Sequence, residues 1–263
     1  MFIKRLLSTI ILVSIIVVAV RIDWLCAFAV CGFIAVGLYE FFTMLEKKGI
    51  NIYKYFGIGM GLIIPVSIAI HFELTKKWEL LFIVLALLLL IVMQFRRRQN
   101  QGVIVGISTT IFGIIYVAWF FSFMIKIRYL DGGMGFLAAL LLITKLGDIG
   151  AYLIGSRFGK TPLMPRVSPK KSVEGAVASL VFSIIGALVS RPFLGFDYIH
   201  LALLGASLSV LGQLGDLSES LMKRDCQVKD SGNIIPGMGG VLDEIDSLLF
   251  TAPVFYFYLS VTL

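Results

Sequence analysis

Residues 220–246 read SLMKRDCQVKDSGNIIPGMGGVLDEID, and they place basic residues, acidic residues and a glycine turn between two apolar stretches. A charged side chain costs about 2.5–3.5 kcal/mol at the centre of a bilayer on insertion scales. Charges that are kept beside membrane-spanning segments therefore indicate a functional site. The stretch predicts a membrane protein with a polar site between its last two apolar runs.

The composition of the whole chain favours the same class. Of its 263 residues, 59% are hydrophobic and 15% are charged, whereas a soluble domain is about one quarter charged. We expect an all-α polytopic protein, a single integral membrane unit, with helices one to five in residues 1–130 and catalytic helices six to nine with their cytoplasmic loops in 131–263. About nine apolar runs are long enough, or nearly so, to span a bilayer: 6–20, 25–45, 55–72, 78–95, 103–125, 133–155, 173–195, 200–222 and 242–260.

The distribution of Lys and Arg predicts the orientation. The N-terminus and the loops after the even-numbered runs hold 16 of these residues, and the other loops hold 6. Because cytoplasmic loops carry the excess, the N-terminus and the long polar loops 156–172 and 223–241 are predicted to face the cytoplasm from the cell (inner) membrane. The net charge of +7 is assigned to these loops, so no nucleic-acid partner is expected.

The eighth apolar run carries a charged face. Asp216, Glu219, Ser220 and Lys223 are spaced i, i+3, i+4 and i+7, which places them on one side of a helix. A helix end with solvated charges is the alternative, but Asp216 lies about two turns inside the end. The face therefore indicates a polar site at the cytoplasmic end of this helix.

The ninth run begins with acidic residues after the glycine turn 236–240. Asp243 and Asp246 share a face, although the helix dipole also favours carboxylates in a first turn, so capping is the alternative. Backbone N–H groups of such a turn can approach an anion, as they do in phosphate loops.

Asp216, Asp243 and Asp246 would repel one another in a poorly hydrated site unless they were protonated or bridged by a cation. Carboxylate oxygens suit Mg²⁺. The nearby basic residues are phosphate partners by type, and together the groups predict metal-assisted phosphoryl or nucleotidyl transfer; these residues are Lys223, Arg224 and Lys229.

The sixth run and the loop after it hold a second polar set. Lys145 and Asp148 are three residues apart and either neutralise each other or belong to the site. The basic residues of the loop either set the topology alone or bind a lipid headgroup or a triphosphate; they are Arg157, Lys160, Arg166, Lys170 and Lys171. Glu40, inside the second run, is interpreted as a satisfied structural group.

These residues resemble the signature of the phosphatidate cytidylyltransferases, also called CDP-diacylglycerol synthases. The resemblance covers about residues 140–260, and the N-terminal helices are similar only in character, apart from the pair Tyr39 and Glu40. The signature itself is matched by Ser220, Lys223, Arg224, Lys229, Asp230, Pro236, Gly239, Gly240, Asp243 and Asp246, and upstream positions that also look familial are Asp148, Tyr152, Gly155, Phe158, Gly159, Ser168, Lys170, Lys171, Glu174, Gly175 and Asp216.

The resemblance implies that CTP and phosphatidic acid react to give CDP-diacylglycerol and pyrophosphate, with Mg²⁺ and with K⁺ as a second cation. It also implies a homodimer in the bilayer. The implied catalytic residues are Lys223, Arg224, Lys229 and Asp230, and the implied metal ligands are Asp216, Asp243 and Asp246. Substrate binding is implied for Asp148, Tyr152, Ser168, Lys170, Lys171, Glu174, Ser220, Gly239 and Gly240.

Two positions depart from the family pattern, because Met238 stands where the family has His and Glu244 where it has Arg. Since the three aspartates remain, we expect an active enzyme. The alternatives are another CTP-using membrane lipid transferase, such as a polyprenol kinase, or a transporter.

Overall fold

The computed structural model describes residues 2–72, 78–95, 101–237 and 239–262, with side chains described from residue 11 onward except at residues 78 and 79. Within these ranges the chain is helical apart from one short hairpin, loops and turns. The helices are α1 Phe2–Arg21, α2 Asp23–Lys47, α3 Lys54–Ala69, α4 Trp78–Gln94, α5 Val103–Gly113, α6 Phe120–Arg128, α7 Gly133–Phe158, α8 Val173–Val189, α9 Arg191–Leu194, α10 Tyr198–Asp225 and α11 Val241–Thr262, and a π-helical segment, Ile114–Trp119, joins α5 to α6.

Five helices of the described part are long and apolar enough to cross a membrane. They are Asp23–Lys47, Val103–Arg128, Gly133–Phe158, Tyr198–Asp225 and Val241–Thr262, and four shorter apolar helices accompany them. The predicted all-α membrane architecture is thus confirmed. Each predicted apolar run is helical over most of its length, although the run 103–125 covers α5, the π-helical segment and α6, and the run 173–195 covers α8 and α9. Nine crossings and a cytoplasmic N-terminus stay predictions.

The first of two compact units comprises Met1–Lys126 and Cys226–Glu244. Its core is aromatic and aliphatic, with Phe41, Phe42, Ile34 and Leu38 fully or nearly fully buried on α2. A Cβ at Gly57 of α3 would lie 2.7 Å from the ring of Phe42, so the missing side chain lets α3 pack closely against α2. The predicted division at residue 130 stays a prediction.

The second unit comprises Ile127–Asp225 and Ile245–Leu263, in which α8 packs against both α7 and α10. A Cβ at Gly205 of α10 would lie 2.8 Å from the Cα of Ile184 and the carbonyl oxygen of Ser183, so the two backbones nearly touch. Hydroxyl groups bridge the same helices, since the Oγ atoms of Ser179 and Ser209 lie 3.2 Å apart. Small residues and hydroxyls are the usual means by which membrane helices associate.

A β-hairpin lies within the polar loop 156–172, for which the sequence predicts no regular structure. Its strands are β1 Pro162–Met164 and β2 Ser168–Ser172, which pair antiparallel. Ser172 then caps α8 by accepting a hydrogen bond from the N–H of Gly175 at 3.1 Å. Serine is a favoured N-cap residue because its oxygen satisfies a free N–H of the first helical turn.

Candidate functional site

Three aspartates come from three helices of the second unit. Asp148 lies on α7, Asp216 on α10 and Asp246 on α11. Asp216 and Asp148 both repel Asp246 electrostatically, and Asp216 also repels Asp148, so the carboxylates are close enough to interact. Asp246 is buried, and its Oδ1 accepts the backbone N–H of Ser247 at 2.5 Å. The cluster includes two predicted metal ligands and one predicted substrate-binding residue.

Two lysines oppose this negative charge. The Nζ of Lys171, on β2, lies 2.5 Å from Oδ2 of Asp216, and the Nζ of Lys145 lies 3.3 Å from Oδ2 of Asp148. The ion pair of Lys145 with Asp148 agrees with one of the two alternatives predicted from the sequence, in which these residues neutralise each other. The first brings a residue predicted to bind phosphate directly beside a residue predicted to bind metal.

A small polar cavity adjoins Asp148 within the second unit. Polar side chains line most of it, and Ser247 donates its hydroxyl proton toward Oδ2 of Asp148 at 3.4 Å. Polar groups enclosed by apolar helices are costly unless they are hydrogen-bonded or functional. The remaining polar side chains around the cavity are Thr144, Ser179, Ser183, Ser209 and Gln213.

The basic end of α10 is held in place by contacts within the second unit. Lys223 is buried and forms an ion pair with the fully buried Glu219, as their i, i+4 spacing predicts. The Nε of Arg224 donates to the carbonyl oxygen of Val167 in the hairpin at 3.2 Å. Ser220 is buried beside them. The proposed catalytic roles of these residues stay predictions.

In the first unit, Asp243 is bound by the preceding loop. Its Oδ2 accepts the N–H of Gly240 at 2.8 Å, and the N–H and hydroxyl of Ser231 at 3.1 and 3.0 Å. A carboxylate at the third helical position that reaches back to the cap N–H is half of a capping box. The capping alternative is therefore observed. The N–H of Gly240, predicted to approach an anionic substrate, binds this carboxylate.

The other predicted site residues differ in their surroundings. Glu174 accepts the N–H groups of Lys160 and Thr161, each at 3.1 Å, so it shapes the start of the hairpin. Tyr152 is 71% exposed on α7. Ser168 and Lys170 lie on β2, while Lys229, Asp230 and Gly239 lie in the loop before α11. Glu244 is half-buried in the first turn of α11, and Met238 lies outside the described residues.

Two serines that contact the predicted aspartates could not be predicted from the sequence, and the contacts of a third residue, Glu40, agree with its interpretation as a structural group. Ser231 and Ser247 contact the predicted aspartates, but serine is too common in membrane helices and loops to be singled out. Glu40 was interpreted as a structural group, and its Oε2 does accept hydrogen bonds, from the N–H of Leu242 at 2.9 Å and from the hydroxyl of Ser231 at 3.4 Å. The sequence does mark Glu40 as unusual, because it is a glutamate inside an apolar run. It does not reveal which groups donate hydrogen bonds to Glu40.

The donor chemistry of the second unit fits a divalent cation. Among the residues with described positions, no three His, Cys, Asp or Glu side chains are arranged to hold a metal ion. Mg²⁺ does not need three, because it commonly binds one or two carboxylates together with water and substrate phosphates. Asp216 and Asp246 would be such a pair, since Asp216 is the charged residue that repels Asp246 most strongly.

Comparisons with known proteins agree with one another. The sequence model of the cytidylyltransferase family matches residues 3–262. A phosphatidate cytidylyltransferase of Synechocystis is 33% identical over 269 aligned residues, which cover 91% of this chain and 90% of that protein. One from Bacillus subtilis is 44% identical over 149 residues, 56% of this chain and 55% of the relative. One from Staphylococcus aureus is 40% identical over 157 residues, 59% of this chain and 60% of the relative.

Proposed function

The chain belongs to the cytidylyltransferase family, and on that premise we propose that it transfers the cytidylyl group of CTP to phosphatidic acid. The products are CDP-diacylglycerol and pyrophosphate. The observation that carries the proposal is the cluster of Asp148, Asp216 and Asp246 with Lys171 on the helices of a membrane protein. Such a cluster suits a reaction between highly charged phosphates at a lipid surface.

The reaction is a single in-line displacement at phosphorus. A phosphate oxygen of the lipid forms a bond to the α-phosphorus of CTP, and the bond from that phosphorus to the bridging oxygen of pyrophosphate breaks. The leaving pyrophosphate takes the electron pair, and no protein nucleophile is needed. Positioning the two phosphates and balancing their charge are the tasks left to the protein.

Asp216 and Asp246 would hold Mg²⁺, with Asp243, one helical turn away from Asp246 on α11, as the predicted third ligand. Bound Mg²⁺ would neutralise the reacting phosphates, and K⁺ is the proposed second cation. Lys171 balances the charge of Asp216, and its proposed role is to bind a substrate phosphate. Lys170, exposed on the same strand, would bind phosphate or headgroup.

The same proposal places the reaction at the cytoplasmic face of the inner membrane. The acyl chains remain in the bilayer while the headgroup enters the polar site between helices. Exposed apolar side chains on the spanning helices, such as Phe28, Ile104 and Leu203, fit contact with lipid chains. A homodimer is part of the proposal by family resemblance.

The test uses purified protein, phosphatidic acid vesicles, Mg²⁺ and CTP labelled at either the α- or the γ-phosphate. We expect the α-label in the lipid product and the γ-label in pyrophosphate. Label from the γ-phosphate in the lipid would show a kinase instead. Absence of any labelled lipid, with protein that remains folded and dispersed, would overturn the proposal.

A further inference from the structure

The side chain of Glu40, on α2, contacts the loop that precedes α11 and the first turn of that helix. It is 2% exposed although it lies in an apolar helix, and its Oε2 accepts the N–H of Leu242 at 2.9 Å. Leu242 is the second residue of α11, so its N–H is one of the first-turn donors that a helix cannot satisfy internally. A carboxylate at this end also meets the positive end of the helix dipole.

Glycines create the space that this carboxylate occupies. A Cβ at Gly240 would lie 2.7 Å from Oε2 of Glu40, and a Cβ at Gly232 would lie 3.0 Å from its Cγ and closer still to Oε1. Any larger residue at either position would push the carboxylate out. Gly232 is thus explained by Glu40, while Gly240 leaves room for the hydroxyl of Ser231 as well as for Glu40, in addition to any role in approaching substrate.

Ser231 connects Glu40 to the predicted metal ligand of the same unit. Its hydroxyl lies 3.0 Å from Oδ2 of Asp243 and 3.4 Å from Oε2 of Glu40, so its proton goes mainly to Asp243. Asp243 also takes the N–H groups of Ser231 and Gly240. The two carboxylates therefore accept donors from the loop and from the first turn of α11, and neither can move without releasing a backbone N–H.

From these contacts we infer that Glu40 is a positioning residue of the transferase, which fixes the start of α11 and thereby the carboxylate of Asp243. It acts through the N–H of Leu242 and through Ser231, and it touches neither substrate nor metal. The inference rests on the proposed function for its catalytic meaning, but the local ordering of the loop is independent of it. Partners that orient metal ligands in this way usually matter about 10- to 100-fold for metal affinity or activity.

The experiment compares Glu40→Ala and Glu40→Gln with Glu46→Gln, a control six residues further along α2. Glu46 pairs with Lys54 at 3.2 Å and is about half exposed, so this variant removes a carboxylate of the same helix that contacts neither Leu242 nor Ser231. Each protein is assayed for the Mg²⁺ concentration that gives half-maximal cytidylyl transfer. Hydrogen exchange is measured separately for the amides of residues 239–246.

We expect Glu40→Ala to raise the half-saturating Mg²⁺ concentration by about 10-fold or more and to lose amide protection in residues 239–246 alone. Glu40→Gln retains an acceptor oxygen, so its Mg²⁺ dependence and its amide protection in residues 239–246 should both lie close to those of the wild type. Glu46→Gln should match the wild type in both measurements. Unchanged exchange and unchanged Mg²⁺ dependence in Glu40→Ala would overturn the inference. So would loss of protection throughout the chain, which would mean a general structural role.

The two proposals fail separately. If the wild type transfers no label from CTP, the proposed function falls, and local loss of protection in Glu40→Ala would still support the positioning of the loop. If the wild type is active and Glu40→Ala keeps both its local protection and its Mg²⁺ dependence, only the role of Glu40 falls.

Discussion

Asp246 is the residue on which the electrostatics of the second unit converge. It is buried and is repelled by Asp216, Glu219 and Asp148, while Lys145 attracts it. Burying so much like charge without compensation would be costly, and this is the usual mark of a functional group in a membrane protein. A bound divalent cation would offset the repulsion between these carboxylates and would attract the reacting phosphates.

Asn in place of Asp216 or Asp246 should therefore lower cytidylyl transfer by about 100-fold or more, because removing one preorganised charge from a transition state has costs of that order. The measurement is α-labelled CTP incorporated into lipid at saturating Mg²⁺. Glu46→Gln serves as a control that removes a carboxylate elsewhere. Full activity in both aspartate variants would exclude the metal role.

The buried pair of Glu219 and Lys223 gives a prediction about stability. Glu219→Gln leaves the ammonium of Lys223 buried with its main counter-charge gone, and breaking a buried pair in this way costs about 3–5 kcal/mol of unfolding free energy. Asp197→Asn, which breaks the exposed pair with His200, is the matched control. Thermal unfolding in detergent should show a clear loss for the first variant and little change for the second.

Close packing of the helices depends on glycine residues, whose side chain is a single hydrogen atom. Gly205 of α10 faces the backbone of α8, and even a methyl group there would overlap Ile184 and Ser183. Gly59 of α3, by contrast, has open space where a Cβ would be.

The same substitution should therefore have opposite effects at the two glycines. Gly205→Ala should destabilise the protein by about 1–3 kcal/mol through overpacking. Gly59→Ala should be neutral or stabilising by up to about 1 kcal/mol, because Ala favours the helix. The measurement is the unfolding temperature of each variant compared with that of the wild type. A Gly205→Ala variant as stable as the wild type would show that α8 and α10 can move apart without a loss of stability.

The helices could be predicted from sequence because each apolar run carries its own signal. The hairpin 162–172 could not, since its strands are short and polar and show no alternation. Contacts of the site could be predicted where the spacing of two residues in one helix determines whether they meet, as for Glu219 and Lys223. Contacts such as that between Glu40 and Leu242, which are 202 residues apart, depend on how helices pack, and no local pattern encodes them.

At the scale of the whole molecule, the charge distribution predicts which side of the membrane CTP must reach. CTP does not cross a bilayer, so inverted inner-membrane vesicles should incorporate its label at once. Right-side-out vesicles should do so only after permeabilisation. Equal incorporation by intact vesicles of both orientations would contradict the predicted topology.

The contact of Glu40 with α11 also has a consequence for biosynthesis. The ribosome makes α2 early, while the Leu242 amide that binds Glu40 is translated 202 residues later. During most of translation this carboxylate therefore lies in an apolar helix without the Leu242 N–H. The start of α11 can reach its final structure only after Leu242 has been made, so the order of synthesis delays the formation of this contact until late in translation.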